Sequence, residues 1–420
     1  DFVIAVRARN ESGDMWENGT NVVVPQRRRD RPAKVRAGGD WNQFMGNAQR
    51  TGVATDELTP PLRLVWATPT HGHIDISLPV IFKGTVAIGV KDRDNLINNG
   101  VAMFDAQTGE LTHFAKTDSM ICGTPAFVED PDDGPGKIYA VSGAASIYFV
   151  DPKTGKPEGA GRWREQGPGW VWASLATQNR LAVAGAQGGM MGLLSWDGDH
   201  RWTSTFGSVC LPTFASPTFA GEHLIMGANG MQVEGRSGSI YALAARTGQA
   251  RWVNPSPGTL GSVAVHAGRG YFIEMTGRLK VIDLNTGADL ASVELEPGSS
   301  LSTPAIDQEM IIVPTAAGTV HAFDTATLMP LWTFRSGPGL WVMAPMDRKN
   351  SAVFSSPVIS GRTVYIGCSD GNLYALDKAT GTVLWKYDFG VPTLSTPCVT
   401  GNTLITAAWD GNVYAFTRAE

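Results

Sequence analysis

The chain has 420 residues, 49 of them glycine and 25 proline, with 43 % hydrophobic and 17 % charged side chains. That balance suits a large packed core interrupted by tight turns and excludes disorder, collagen and coiled coil. A net charge of −5 provides no basic face for a polyanion, so nucleic acid is not an expected partner, and no apolar run is long enough to imply membrane insertion.

In chain order, residues 2–9 (FVIAVRAR) and 21–24 (NVVV) read as two antiparallel strands joined by NESGDMWENGT. An alternating strand with Ala and Arg, an Asn/Gly-rich hairpin and a short apolar strand running into proline together resemble the end of a fibronectin type III domain. The resemblance covers residues 1–25. It implies the last strands of a sandwich, because two strands cannot make a core by themselves. On this reading the chain begins inside a domain of a larger multidomain protein, with upstream domains of the same parent as partners. The first residues also lack the basic start, apolar stretch and small-residue cleavage site of a signal peptide. Residues 26–39, with Arg27, Arg28, Arg29, Arg31, Lys34 and Arg36, read as a solvated linker.

The segment from Gly39 to Gly52 (GDWNQFMGNAQRTG) leads to a short apolar strand, Leu64-Val65-Trp66-Ala67, and then a single unit recurs to the end of the chain. Its clearest copies lie at 302–337, 355–390 and 395–420. Each starts with Ser-x-Pro, alternates into a Gly/Asp turn, and alternates again into an apolar-Asp pair, which the last copy replaces with Phe416-Thr417; the two longer copies add a Thr-Gly turn, lost at Thr327-Leu328 in the first of them, and a Trp-bearing run. Four short strands per unit follow from this pattern. The third strands end at Asp105, Asp151, Asp197, Ala244, Asp283, Asp324, Asp377 and Thr417, spaced 39 to 53 residues apart. Such units cannot bury both faces alone and must stack in a ring. The expected fold is therefore all-β, an eight-bladed β-propeller of eight units over residues 40–420. Because the last copy stops after three strands, residues 62–70 are expected to supply its fourth and clasp the ring. Trp66, Trp202, Trp252, Trp332 and Trp385 then fall at equivalent outer-strand positions, suited to covering the seams between blades.

The Asp40-Trp41-Asn42-Gln43-Phe44 opening, followed by Gly46 and Gly52, together with the Ser-x-Pro/Asp/Thr-Gly/Trp repeats, resembles the pyrroloquinoline-quinone-like repeat propeller superfamily over about residues 40–420. Its members include quinoprotein alcohol dehydrogenases, a propeller lipoprotein of the outer-membrane assembly machinery, and secreted propellers appended to other enzymes. The resemblance implies a periplasmic or extracellular bacterial protein. The dehydrogenases hold their quinone against a pair of adjacent cysteines, and Cys122, Cys210, Cys368 and Cys398 are all far apart. No cofactor and no metal site is therefore expected, and this is not read as a quinone-dependent dehydrogenase. The cysteines read as buried thiols, with one disulfide left open.

Propeller ligands commonly sit at the channel mouth, where the loops between blades meet those joining second and third strands. There the sequence offers His71-x-His73-x-Asp75, which in an extended strand would place all three side chains on one face. It also offers Trp170-x-Trp172, the pair Glu234 and Arg236, Glu274, Trp409, and Trp341 in the long insertion before blade seven. Two functions are compatible with these residues. One is a non-catalytic or auxiliary binding module that takes a glycan or protein partner, with His71, Trp170, Trp172, Glu234, Trp341 and Trp409 as contacts. The alternative is a polysaccharide lyase or glycoside hydrolase using His73, Asp75, Arg236 and Glu274 for proton transfer and charge stabilisation.

Overall fold

The computed structural model describes residues 4–9, 15–20, 40–74, 76–92, 97–129, 136–162, 171–179, 181–186, 189–194, 199–205, 214–228, 238–298, 300–340 and 353–419. Two compact units divide between Lys34 and Val35. In the first, Ile4–Arg9 pairs antiparallel with Met15–Thr20, from Ile4 opposite Thr20 to Arg9 opposite Met15. The second strand thus occupies part of the segment expected to be the hairpin loop, and residues 21–24 lie outside the described residues.

In the second unit, eight four-stranded antiparallel sheets surround one axis, each innermost strand touching the next and the last returning to the first. Blade 1 shows the pattern: Val80–Phe82 innermost, then Thr85–Val90, Gly100–Asp105, and Leu111–Lys116 outermost. Blades 2 to 7 follow over residues 126–162, 176–205, 218–255, 264–294, 305–335 and 358–388, each from four consecutive strands. The remaining sheet is composite: Cys398–Thr400, Thr403–Ala407 and Asn412–Arg418 come from the end of the chain, and Leu62–Pro69 from its front. The expectation of eight repeat units is corrected accordingly, because the chain carries seven self-contained blades. Counting third strands includes Thr417, whose strand has no fourth of its own and pairs with Leu62–Pro69 from the other end of the ring domain.

The repeated turn residues have direct structural work. Asp105 Oδ1 accepts bonds from the Gln107 and Thr108 amides and the Thr108 hydroxyl, and Asp283, Asp324 and Asp377 repeat this arrangement. These bonds hold the Asp283 and Asp324 carboxyls below their ordinary pKa. The glycine that follows lies under the preceding blade's outer tryptophan. A Cβ at Gly381 would sit 2.5 Å from the Trp332 ring, and one at Gly109 2.4 Å from Trp66. The indole N–H of each tryptophan then crosses the seam, from Trp66 to Ala106 O, Trp202 to Ala245 O, Trp252 to Leu284 O and Trp332 to Lys378 O, at 2.8 to 3.1 Å. The expected seam role of these residues holds for these four.

Candidate functional site: the axis and its two ends

The blades meet at the axis through a motif that the Ser-x-Pro pattern only partly displays. The informative residue is the x. Its hydroxyl accepts the main-chain N–H of the equivalent residue one blade earlier: Leu78 N–H to Thr124, Thr124 to Ser174, Ser174 to Ser216, and Ser216 to Ser262, at 2.8 to 3.2 Å. The series continues from Ser262 to Thr303, Thr303 to Ser356, and Ser356 to Thr396, at 2.8 to 3.0 Å. All seven hydroxyl residues are buried. The intervening position is small because blades approach closely there: a Cβ on Gly261 would lie 2.1 Å from Ser302 O. Two residues before each ring position stands an apolar side chain, namely Ile76, Cys122, Trp172, Phe214, Leu260, Leu301, Phe354 and Leu394. The axis thus consists of an apolar collar toward the loops between blades and a hydroxyl ring beneath it. A cavity of about 40 Å³ lies between them, with Phe44 also in its wall.

The opposite end is closed by the segment that opens the propeller. Its carbonyls take the edge amides of successive innermost strands: Asn42 from Phe127, Ala48 from Phe219, Gln49 from Val265, Thr51 from Ile306 and Gly52 from Ile359, at 2.7 to 2.9 Å. Trp41 pairs both ways with Ile81, and the Gln43 amide bonds both main-chain groups of Thr177. Asp56 accepts from the Gly401 amide in the composite sheet. Every blade is therefore tied to this plug. Arg50, at 0 % exposure, anchors it by donating to Pro217 O, Leu175 O, Phe44 O and Gln43 Oε1. Desolvation lowers the Arg50 pKa to about 9.

The residues singled out from the sequence fare differently. His71 has φ +62, so the chain is not extended there and His71 and His73 do not share a strand face. Both are exposed, and His73 exchanges two main-chain bonds with Lys91. Trp172 joins the collar, tilted against Phe214 at 5.3 Å with Lys91 Nζ 4.9 Å from its ring. Glu274 is 3 % exposed, bonded by Thr276 Oγ1 and 3.6 Å from Lys280 Nζ. It lies in blade 5, across the ring from His73 beside blade 1, so the two are not brought together. Trp409 is half-buried and packs against Ala316, Phe354 and Leu394. Asp75, Trp170, Glu234, Arg236 and Trp341 lie outside the described residues, as does Cys210. Cys122, Cys368 and Cys398 are buried, and no disulfide joins them to one another. Among the described residues no group of His, Cys, Asp and Glu is placed to hold a metal, and no helix is long and apolar enough to cross a membrane. A groove of about 580 Å³ on the plug side was not anticipated; its wall includes Val53, Glu57, His266 and Lys378, the last ion-paired with Asp307 and Glu309.

Ring, plug and repeat chemistry together define a pyrroloquinoline-quinone-like repeat β-propeller. The profile of the family described as "Outer membrane protein assembly factor BamB" matches residues 98–259, 236–345 and 334–420, and the chain belongs to that family. It is 25 % identical over 276 residues to the protein of that name from Burkholderia pseudomallei, covering 61 % of this chain and 66 % of the relative. With the Yersinia pestis protein it shares 27 % over 230 residues, 53 % of this chain and 56 % of that one. The matched regions thus span less than two thirds of either relative. The fold is similar to that of BamB from Moraxella catarrhalis (TM-score 0.64, 17 % identity, 85 % of this chain and 100 % of that one). It is also similar to that of a europium-containing methanol dehydrogenase (TM-score 0.74, 13 % identity, 90 % and 98 %). The residues here do not fit the quinone of such dehydrogenases on the axis: about 40 Å³ beneath the collar is far below the roughly 300 Å³ or more of an ordinary cofactor site.

Proposed function

We propose that the chain is a non-catalytic, protein-binding propeller that supports outer-membrane protein assembly from the periplasmic side. Membership of the assembly-factor family carries this reading. Its relatives' name supplies the process, and the distribution of exposed apolar groups suggests the surface. On the face bearing the loops between blades, Leu340 before blade 7 and Ile97 in blade 1 are 55 % and 60 % exposed. The composite sheet lies between those blades and contributes Trp409 to the same sector. Exposed aliphatics beside a half-buried aromatic are the usual makings of a protein interface core.

The test is made in cells deprived of their own assembly propeller, with this chain exported to the periplasm and folded outer-membrane β-barrels quantified. Restoration by the unaltered chain is expected, and most of it should be lost in Ile97→Asp/Leu340→Asp. The control Met329→Asp changes an exposed side chain on the outer rim of blade 6 and should restore as well as the parent. No restoration by the parent would overturn the function; equal restoration by the double variant would overturn the surface.

A further inference from the structure

The hydroxyl ring has chemistry that the fold does not use up. Each of its seven oxygens accepts a main-chain N–H, and no described group accepts the hydroxyl protons in return. Each hydroxyl therefore still has its proton to donate. Ser174, Ser216, Ser262, Ser356 and Thr396 line the axial cavity, whose remaining walls are apolar side chains without acceptors.

A buried positive charge lies close by. Arg50 bonds Leu175 O and Pro217 O, each belonging to the residue next to a ring serine, and its Cζ lies 5.3 Å from the ring of Phe44, which lines the cavity. Its hydrogen-bond partners are all neutral, three carbonyls and one amide oxygen, so the guanidinium charge has no carboxylate against it among the described residues. An uncompensated buried cation beside converging donors favours a negative ion. The volume, about 40 Å³, exceeds the roughly 10–15 Å³ that one water needs and falls far short of the roughly 300 Å³ or more of an organic ligand site, which leaves small ions as candidates. We propose that the propeller axis is a binding site for a small monovalent anion of halide size, held by the inner-strand hydroxyls with Arg50 behind them.

Bromide is the probe. Crystals of the unaltered protein grown with bromide should show an anomalous peak on the axis, among Ser174, Ser216 and Ser262. At constant ionic strength, replacing gluconate by chloride or bromide should raise Tm and saturate, because an ion that binds the folded state alone stabilises it. Ser216→Ala/Ser262→Ala removes two donors and should weaken bromide by about tenfold or more. If that double variant does not fold, Ser262→Ala replaces it, and the crystal of the unaltered protein remains decisive. Absence of an axial peak overturns the proposal, as does a Tm that follows ionic strength regardless of the anion. An axial peak without anion-specific stabilisation means an adventitious ion only, and also overturns it.

Discussion

Arg50 carries its charge into a region where all its hydrogen-bond partners are neutral, and the geometry explains why an arginine stands there. Its planar fork reaches Leu175 O, Pro217 O, Phe44 O and Gln43 Oε1 together, linking the plug to blades 3 and 4. Replacing it with methionine would keep much of the volume and leave those carbonyls buried without donors. Each such group costs about 1–3 kcal/mol. Arg50→Met is therefore expected to lower the unfolding free energy by about 3–5 kcal/mol, the scale of losing one member of a buried polar cluster, as read from urea midpoints. Arg50→Lys keeps a charge but presents a single nitrogen, and should recover only part of the loss. A loss below about 1 kcal/mol for Arg50→Met would mean the carbonyls find other donors and the fork is not the anchor.

Between neighbouring blades the unit of packing is a tryptophan on an outer strand, a small residue opposite it, and a glycine in the next blade's turn. Trp252 faces Ala242, Trp332 faces Ala322 and Trp202 faces Gly192. The seam between blades 5 and 6 departs from this pattern at all three places. Ala291 stands where the tryptophan would be, Val281 faces it, and Leu328, at φ +56, replaces the turn glycine. Ala291 and Leu328 both pack against the same apolar cluster, so the leucine fills space that an indole fills elsewhere. Ala291→Trp alone should overpack this seam and cost about 1–3 kcal/mol; adding Leu328→Gly and Val281→Ala should return the urea midpoint to near the parent value. A triple variant no better than the single would show that the three positions are not one packing unit. These seams were legible in the sequence because the Asp-x-x-Thr-Gly turn and the tryptophan recur at fixed local spacing. The clasp was legible too, since the last copy stops after three strands and Leu62–Pro69 supplies the fourth. The plug and the axial ring were harder. Arg50 meets Pro217 across 167 residues and Gln43 meets Thr177 across 134, distances at which no local pattern survives. The ring hydroxyls were hidden in the variable place of Ser-x-Pro, and the expected His71/His73 face failed on one left-handed backbone angle.

The second unit as a whole is a ring whose innermost strands would each leave an unpaired edge toward the axis, and two devices satisfy those edges. The hydroxyl ring links neighbours pairwise, whereas the plug links all the blades to one continuous segment. The second arrangement makes a mechanical claim: disturbing the plug at one point should be felt at distant blades. Gly52 is the place to disturb it, because its φ of +66 disfavours a side chain and a Cβ there would lie 2.5 Å from Met45 Cε and 3.0 Å from Pro357 O. A β-branched side chain cannot adopt that backbone without strain. Gly52→Val should therefore shift the plug and raise hydrogen exchange by about tenfold at the amides of Phe127, Phe219, Val265, Ile306 and Ile359, which all donate to its carbonyls. Amides in the middle strands of the same blades, such as Ile138 and Ile225, should stay protected, which separates plug release from global loosening. Increased exchange confined to Ile306 and Ile359, the two nearest Gly52, would mean that the segment makes independent local contacts and does not couple the ring.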